Sequence, residues 1–142
     1  MTPVTIYVGM ALTDAPESFR TDFQRDLKRK LTEVAGVHIL DFVGLEKGTA
    51  EDVYYHDRDC TESAELCVFI CDHPSIGLGM EIAFRIVTGK PMLCFAAAGK
   101  KVTRMVTGAC EAQSVEFHRY DNVLNIIFAV EEMLIRMQQK AA

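Results

Sequence analysis

The chain has 142 residues, 49% hydrophobic and 25% charged, the balance of one folded domain, which excludes collagen-like, low-complexity and disordered classes. Twenty acidic residues against fifteen basic ones leave a formal net charge of -5, which argues against a dedicated binder of polymeric nucleic acid but not against a pocket for one nucleotide. No apolar run approaches the ~20 residues of a membrane helix, and Met1-Thr2-Pro3-Val4-Thr5 lacks the basic and apolar regions of a leader, so a cytoplasmic location is expected.

Thr5 to Gly9 is a short β-branched apolar run and predicts a buried first strand. Ser18 to Val34 carries Phe19, Phe23, Leu27 and Leu31 at helical spacing, and Ala35-Gly36 closes that helix. Val37 to Val43 predicts a second strand, Gly44 to Ala50 a loop, and Glu51 to Ala64 a polar helix. Leu66 to Cys71 is the most apolar strand and suits the centre of a sheet. A loop over Asp72 to Gly79 leads into a helix through Glu81, Ile82, Phe84, Ile86 and Val87, which Gly89-Lys90-Pro91 stops. Pro91 to Ala96 is a fourth strand and Val115 to His118 a weaker fifth. Asn122 to Gln139 is a strong final helix with Val123, Ile126, Ile127, Val130, Leu134 and Met137 inward. This alternation predicts one flavodoxin-like (Rossmann-like) α/β sandwich of three layers over residues 1–142, with an open parallel sheet of about five strands.

The cysteines are Cys60, Cys67, Cys71, Cys94 and Cys110, an odd count with no leader, which predicts reduced thiols. Cys67 and Cys71 share a strand face but lie too far apart for a bridge. With no CxxC pair, they read as small buried hydrophobes, and neither a metal nor a cofactor is expected.

Ligands of such folds sit beyond the carboxyl ends of the strands. The informative segment there is Asp72-His73-Pro74-Ser75-Ile76-Gly77-Leu78-Gly79-Met80-Glu81. Gly77 and Gly79 let backbone approach a ligand closely. Ser75 suits either a helix cap or a phosphate contact, and Glu81 either a helix-dipole partner or a group facing the cleft. Asp57, in Tyr54-Tyr55-His56-Asp57-Arg58-Asp59, is a candidate second carboxylate for glycosidic chemistry, or else part of a solvated, Arg-paired helix face. Tyr7 suits a base pocket or core packing. His56 and His73 suit a proton relay or a solvent-facing position.

Gly77-Leu78-Gly79-Met80-Glu81-Ile82, followed by Gly89-Lys90-Pro91, resembles the nucleoside 2-deoxyribosyltransferase superfamily, which includes 2'-deoxynucleoside 5'-phosphate N-hydrolases. The strand end Tyr7-Val8-Gly9 and the spacing from Asp57 through Ala64-Glu65 to Glu81 fit it as well. The likeness covers most of the chain and is strongest from Asp72 to Pro91. It implies that Glu81 attacks the anomeric carbon and that Asp57 serves the departing base. Ser75 stands where the transferases commonly carry an aspartate and the hydrolases a phosphate-binding serine. Thr103 falls where hydrolases place a second such serine, reaching across a dimer interface, with Lys100, Lys101 and Arg104 nearby. Gly9-Met10-Ala11-Leu12-Thr13-Asp14 lacks the arginine of the hydrolase loop, for which Arg20 is the candidate substitute.

The resemblance therefore implies cleavage of deoxynucleoside 5'-monophosphates by water, with base exchange between deoxynucleosides as the alternative and a non-catalytic nucleotide-binding module as a third reading. It also implies a homodimer or larger assembly, with the final helix and Met105-Val106 as candidate interfaces. A phosphoacceptor receiver domain would use Asp72 but needs acidic residues after the first strand, and a flavin carrier needs a Ser/Thr-rich loop there.

Overall fold

In the computed structural model, which describes residues 2–41 and 47–142, five strands form one parallel sheet in the order β2-β1-β3-β4-β5. They are β1 (Val4–Met10), β2 (Val37–Ile39), β3 (Leu66–Ile70), β4 (Met92–Ala97) and β5 (Glu116–Tyr120). β3 lies in the middle and all of its residues are buried, so it is apolar throughout rather than alternating. The strand order reverses between β1 and β3, which opens a crevice at their carboxyl ends.

Strand alternation sends side chains to two cores. Ile6, Val8, Leu66, Val68, Ile70, Leu93 and Phe95 point to one face, against Leu27 and Leu31 of α1 (Gln24–Thr32) and Ile126, Val130 and Leu134 of α5 (Val123–Ala141). Tyr7, Cys67, Phe69, Cys71, Met92 and Cys94 point to the other. There they meet Leu78 and Ile82 of α3 (Ile76–Thr88), Cys110 of α4 (Arg104–Ala112) and Cys60 of α2 (Ala50–Ser63). These are the three layers that the strand–helix alternation predicts.

The helix ends follow local chemistry. Thr49 and Asp52 form a reciprocal capping box on α2, and Asn122 and Asn125 do the same on α5. Gly89 ends α3 at φ 67°, a conformation that favours glycine.

The structure departs from the expected elements at four places. α3 begins at Ile76 under a Ser75 cap, so Gly77 and Gly79 are helical rather than part of a loop. α4 was not expected as an element. Of the expected second strand only Val37–Ile39 is extended; Phe42 and Val43, like Gly44 to Glu46 of the expected loop, lie outside the described residues. The first helix opens with a π-helical turn over Phe19–Phe23, where Phe19 stacks on Phe23 at 5.0 Å and meets the His73 ring edge-on at 4.6 Å. That aromatic contact accompanies the wider turn. Among the described residues no helix is long and apolar enough to cross a membrane.

Candidate active site

Glu81 is the sixth residue of α3, one and a half turns in, and the helix carries its carboxyl onto the crevice side of β1. A Cβ placed on Gly9 would lie 2.8 Å from Glu81 Oε2 and 2.7 Å from Phe69 Cδ1, so only glycine leaves room for the acid there. Glu81 Oε2 is buried and accepts no hydrogen bond. Burial first, and the negative charge of Asp57 second, push the Glu81 pKa up to about 8, while the Tyr7 hydroxyl pulls it the other way. Tyr7 itself is buried in β1, and burial together with Glu81 and Asp57 drives its pKa far above the usual phenol range, which keeps it a protonated donor. A carboxyl group with a free, desolvated oxygen is unusual outside a working site.

Asp57 comes from α2, on the far side of the crevice. Its Oδ1 lies 2.9 Å from His56 Nδ1, and His56 Nε2 lies 2.9 Å from Asp41 Oδ2 just past β2. Burial lowers the His56 pKa, but hydrogen bonds to the two carboxylates outweigh it and the net shift is upward. The Cys60 thiol, 3.8 Å from His56 Nε2, is pushed up to about 11 by burial and the surrounding acids, so it stays protonated.

The phosphate candidates lie at helix starts. Ser75 Oγ caps α3 by accepting from Leu78 N at 3.2 Å, and Thr103 Oγ1 caps α4 by accepting from Met105 N at 3.3 Å. Both hydroxyls keep their own proton to donate outward. Ser75 and Thr103 of the same chain line one hollow of about 490 Å³ with Thr13, Asp14, Pro74, Ile76 and Gly77. Beside it lies an apolar groove of about 240 Å³ between α3 and α4, lined among others by His73, Ser75, Leu78, Gly79, Ile82, Lys101 and Thr103. Space above Gly79 is open, since an added Cβ would meet nothing within 4 Å. The structure thus gathers Tyr7, Gly9, Asp57 and Glu81 at one place, and Ser75, Gly77, Gly79, Thr103 and His73 beside it. Arg20 sits exposed on the π-helical turn and lines neither hollow.

Two residues take roles that sequence reasoning did not find. Asp72 is buried, accepting from Ala97 N at 3.0 Å and from the Tyr120 hydroxyl at 2.6 Å, so it clamps β4 and β5 instead of standing free as a phosphoacceptor. Arg85, fully buried on α3 one turn beyond Glu81, donates to the carbonyls of Thr61, Ala64, Glu65 and Pro91. Its helical position looks like an exposed one in sequence, and nothing local marks it. Among the described residues all five cysteines are free, and no cluster of His, Cys, Asp or Glu could hold a metal.

No protein-family model matches the chain. It is 34% identical over 71 residues to a protein of Thermofilum pendens designated 2'-deoxynucleoside 5'-phosphate N-hydrolase 1, a match over 48% of this chain and 50% of that one. It is 28% identical over 79 residues to the mouse 5-hydroxymethyl-dUMP N-hydrolase, over 53% of this chain and 46% of the other. The matched region thus spans about half the length of these curated relatives. Among solved structures, the fold matches the CMP N-glycosidase of Clostridium botulinum with a TM-score of 0.70 at 15% identity, covering 91% of this chain and 98% of that one. It also matches the 2-deoxyribosyltransferase of Bacillus psychrosaccharolyticus with a TM-score of 0.62 at 16% identity, covering 87% and 90%. The curated relatives carry the names of the family that the sequence resembles, and the α/β sheet is matched by these neighbours in fold.

Proposed function

We propose that the chain cleaves the N-glycosidic bond of 2'-deoxynucleoside 5'-monophosphates through a deoxyribosyl ester on Glu81, which water then resolves. The observation that carries this reading is Glu81 Oε2, buried and unpartnered against Gly9, with Asp57 close enough to raise its pKa. One carboxylate under the sugar and one acid at the departing base is the arrangement of a retaining glycosidase. Ionised Glu81 attacks the anomeric carbon as Asp57 protonates the base. The absent 2'-hydroxyl leaves that carbon better able to bear positive charge. Tyr7, fixed as a donor, orients the Glu81 carboxyl. The Ser75 and Thr103 hydroxyls and the free amides at the start of α3 receive the 5'-phosphate. In this reading the enzyme is cytoplasmic and works as a homodimer without a cofactor or a metal.

Asp14 favours a second reading. Among the described residues it is the one carboxylate lining the Ser75–Thr103 hollow, and a phosphate there would meet its charge. Base exchange between unphosphorylated deoxynucleosides would avoid that clash. Chromatography of each deoxynucleoside and each monophosphate, with and without a second free base, separates the two. Base released from monophosphates alone supports the hydrolase. A new deoxynucleoside formed only with added base supports the transferase, and no turnover with either sinks both. The variant Ser75→Asp sharpens the test. It should cut kcat/KM for a monophosphate by more than ~10-fold through like-charge repulsion while leaving a deoxynucleoside nearly unchanged.

A further inference from the structure

We infer that His56 is a positioning residue that holds a proton for the departing base and loads Asp57 with it. This inference rests on the functional reading above and adds a residue that no step there uses. Its basis is geometric. Both ring nitrogens of His56 face carboxylate oxygens at 2.9 Å, Asp57 on one side and Asp41 on the other. An ionised carboxylate only accepts, so satisfying both contacts requires a proton on each nitrogen. The side chain is sheltered, at 17% exposure, as is Asp57 at 23%, whereas Asp41 is open to water at 71%. The line from solvent to the crevice therefore runs Asp41, His56, Asp57. Among the described residues, the titratable groups facing His56 are Asp57 and Cys60 from its own helix and Asp41 from beyond β2, with Tyr7 of β1 and Glu81 of α3 standing past Asp57.

The proton count closes. A Glu81 oxygen bonds to the anomeric carbon, the carbon–nitrogen bond breaks, and its electron pair stays on the base. Asp57, ionised at rest, takes the Nδ1 proton of His56 and passes it to the base. Neutral His56 keeps its Nε2 proton on Asp41, which fixes the tautomer. When water attacks the anomeric carbon, the ester oxygen returns to Glu81 and the water proton passes through Asp57 to His56 Nδ1. The net change is addition of one water across the glycosidic bond.

The test compares two leaving groups in wild type, His56→Gln, Asp41→Asn and Glu81→Ala. One substrate is the deoxynucleotide or deoxynucleoside the wild type cleaves fastest. The other carries 4-nitrophenolate in place of the base, which departs without a proton. His56→Gln should lower kcat on the first by roughly 100-fold, within the usual reach of proton transfer, and leave kcat on the second nearly unchanged. Asp41→Asn should move the basic limb of the kcat profile to lower pH. In wild type, nitrogen-detected NMR should show His56 titrating above the usual ~6.5, with that midpoint falling in Asp41→Asn. Equal losses on both substrates, an unmoved basic limb, or a midpoint at or below the usual value would overturn the inference while leaving the Glu81 reading intact. Cleavage of neither substrate by wild type, with Glu81→Ala indistinguishable from it, would overturn both.

Discussion

At the residue scale, the proposed chemistry turns on one carboxyl held out of water. Glu81 is pushed up to about 8, mainly by burial and then by Asp57. In the proposed reaction it must be ionised to attack, so the acid limb of kcat/KM should climb with pH toward about 8. The same shift makes a statement about stability. The folded state binds this proton more tightly than the unfolded chain, whose glutamate titrates near ~4.3. The sheltered acid therefore costs nothing below the unfolded value. Stability falls as pH rises from there to about 8, and the full penalty persists above it. Glu81→Gln removes the ionisation. It should abolish turnover and yet stabilise the protein by roughly 2–4 kcal/mol at pH 9, with a much smaller gain at pH 5.5. Urea denaturation of both proteins at the two pH values checks this, and an equal difference at each would sink the assignment. Gly9 belongs to the same design, because any larger residue would meet Glu81 Oε2 and Phe69 within 3 Å.

At the scale of elements, Arg85 ties α3 to α2. α2 has no basic residue in its last turn, and the carbonyls at a helix C-terminus lack partners of their own. Arg85 Nη1 reaches Thr61 O at 3.0 Å and Ala64 O at 2.6 Å, while Nη2 reaches Glu65 O at 3.1 Å and Pro91 O at 2.7 Å. One guanidinium thus supplies the cation that the end of α2 lacks and fixes α3, with Glu81 one turn away, against the helix that carries Asp57. Arg85→Met should cost at least ~3 kcal/mol in urea denaturation, since several buried carbonyls lose their donor. It should also lower kcat, with Arg85→Lys recovering part of each. A variant as stable as wild type would show that these contacts carry little energy. The strands and most helices are legible in the sequence because apolar runs and caps report local physics. Glu81 and Asp57 stand out as candidates through the family resemblance, while spacing alone leaves a helix-dipole or solvated-face reading open for each. Arg85 is not legible, because its partners lie 6, 20, 21 and 24 residues away in the chain. α4 is hidden because Thr107 and Gly108, both poor helix formers, fall in the middle of a short helix. The helical start over Ile76 to Gly79 was hidden by two glycines that normally argue for a loop.

At the scale of the whole molecule, the two faces of the sheet differ in what they leave uncovered. On the α5 side, Leu124, Phe128 and Ile135 are only about half exposed. On the other side, Ile76, Val87 and Met105 stand 88%, 87% and 81% exposed, and Met80 joins them along α3. Met105 lines the apolar groove between α3 and α4, which also takes in Ser75 and Thr103. An apolar surface continuous with a ligand crevice is a poor surface to leave in water. A second copy of the chain covering it would bury the row and narrow the crevice mouth at the same time. The expected solution mass by light scattering is therefore about twice the 15.9 kDa of one chain. Met105→Glu and Val87→Glu should each return it to the mass of one chain, because a charge buried in an apolar contact has no partner there. Leu124→Glu, on the opposite face, should leave the mass unchanged. If the monomeric variants keep full turnover, the crevice is complete within one chain and the row serves assembly alone. If turnover falls with the mass, the neighbour closes the site. A wild type that runs as one chain at every concentration tested would remove the dimer from the reading.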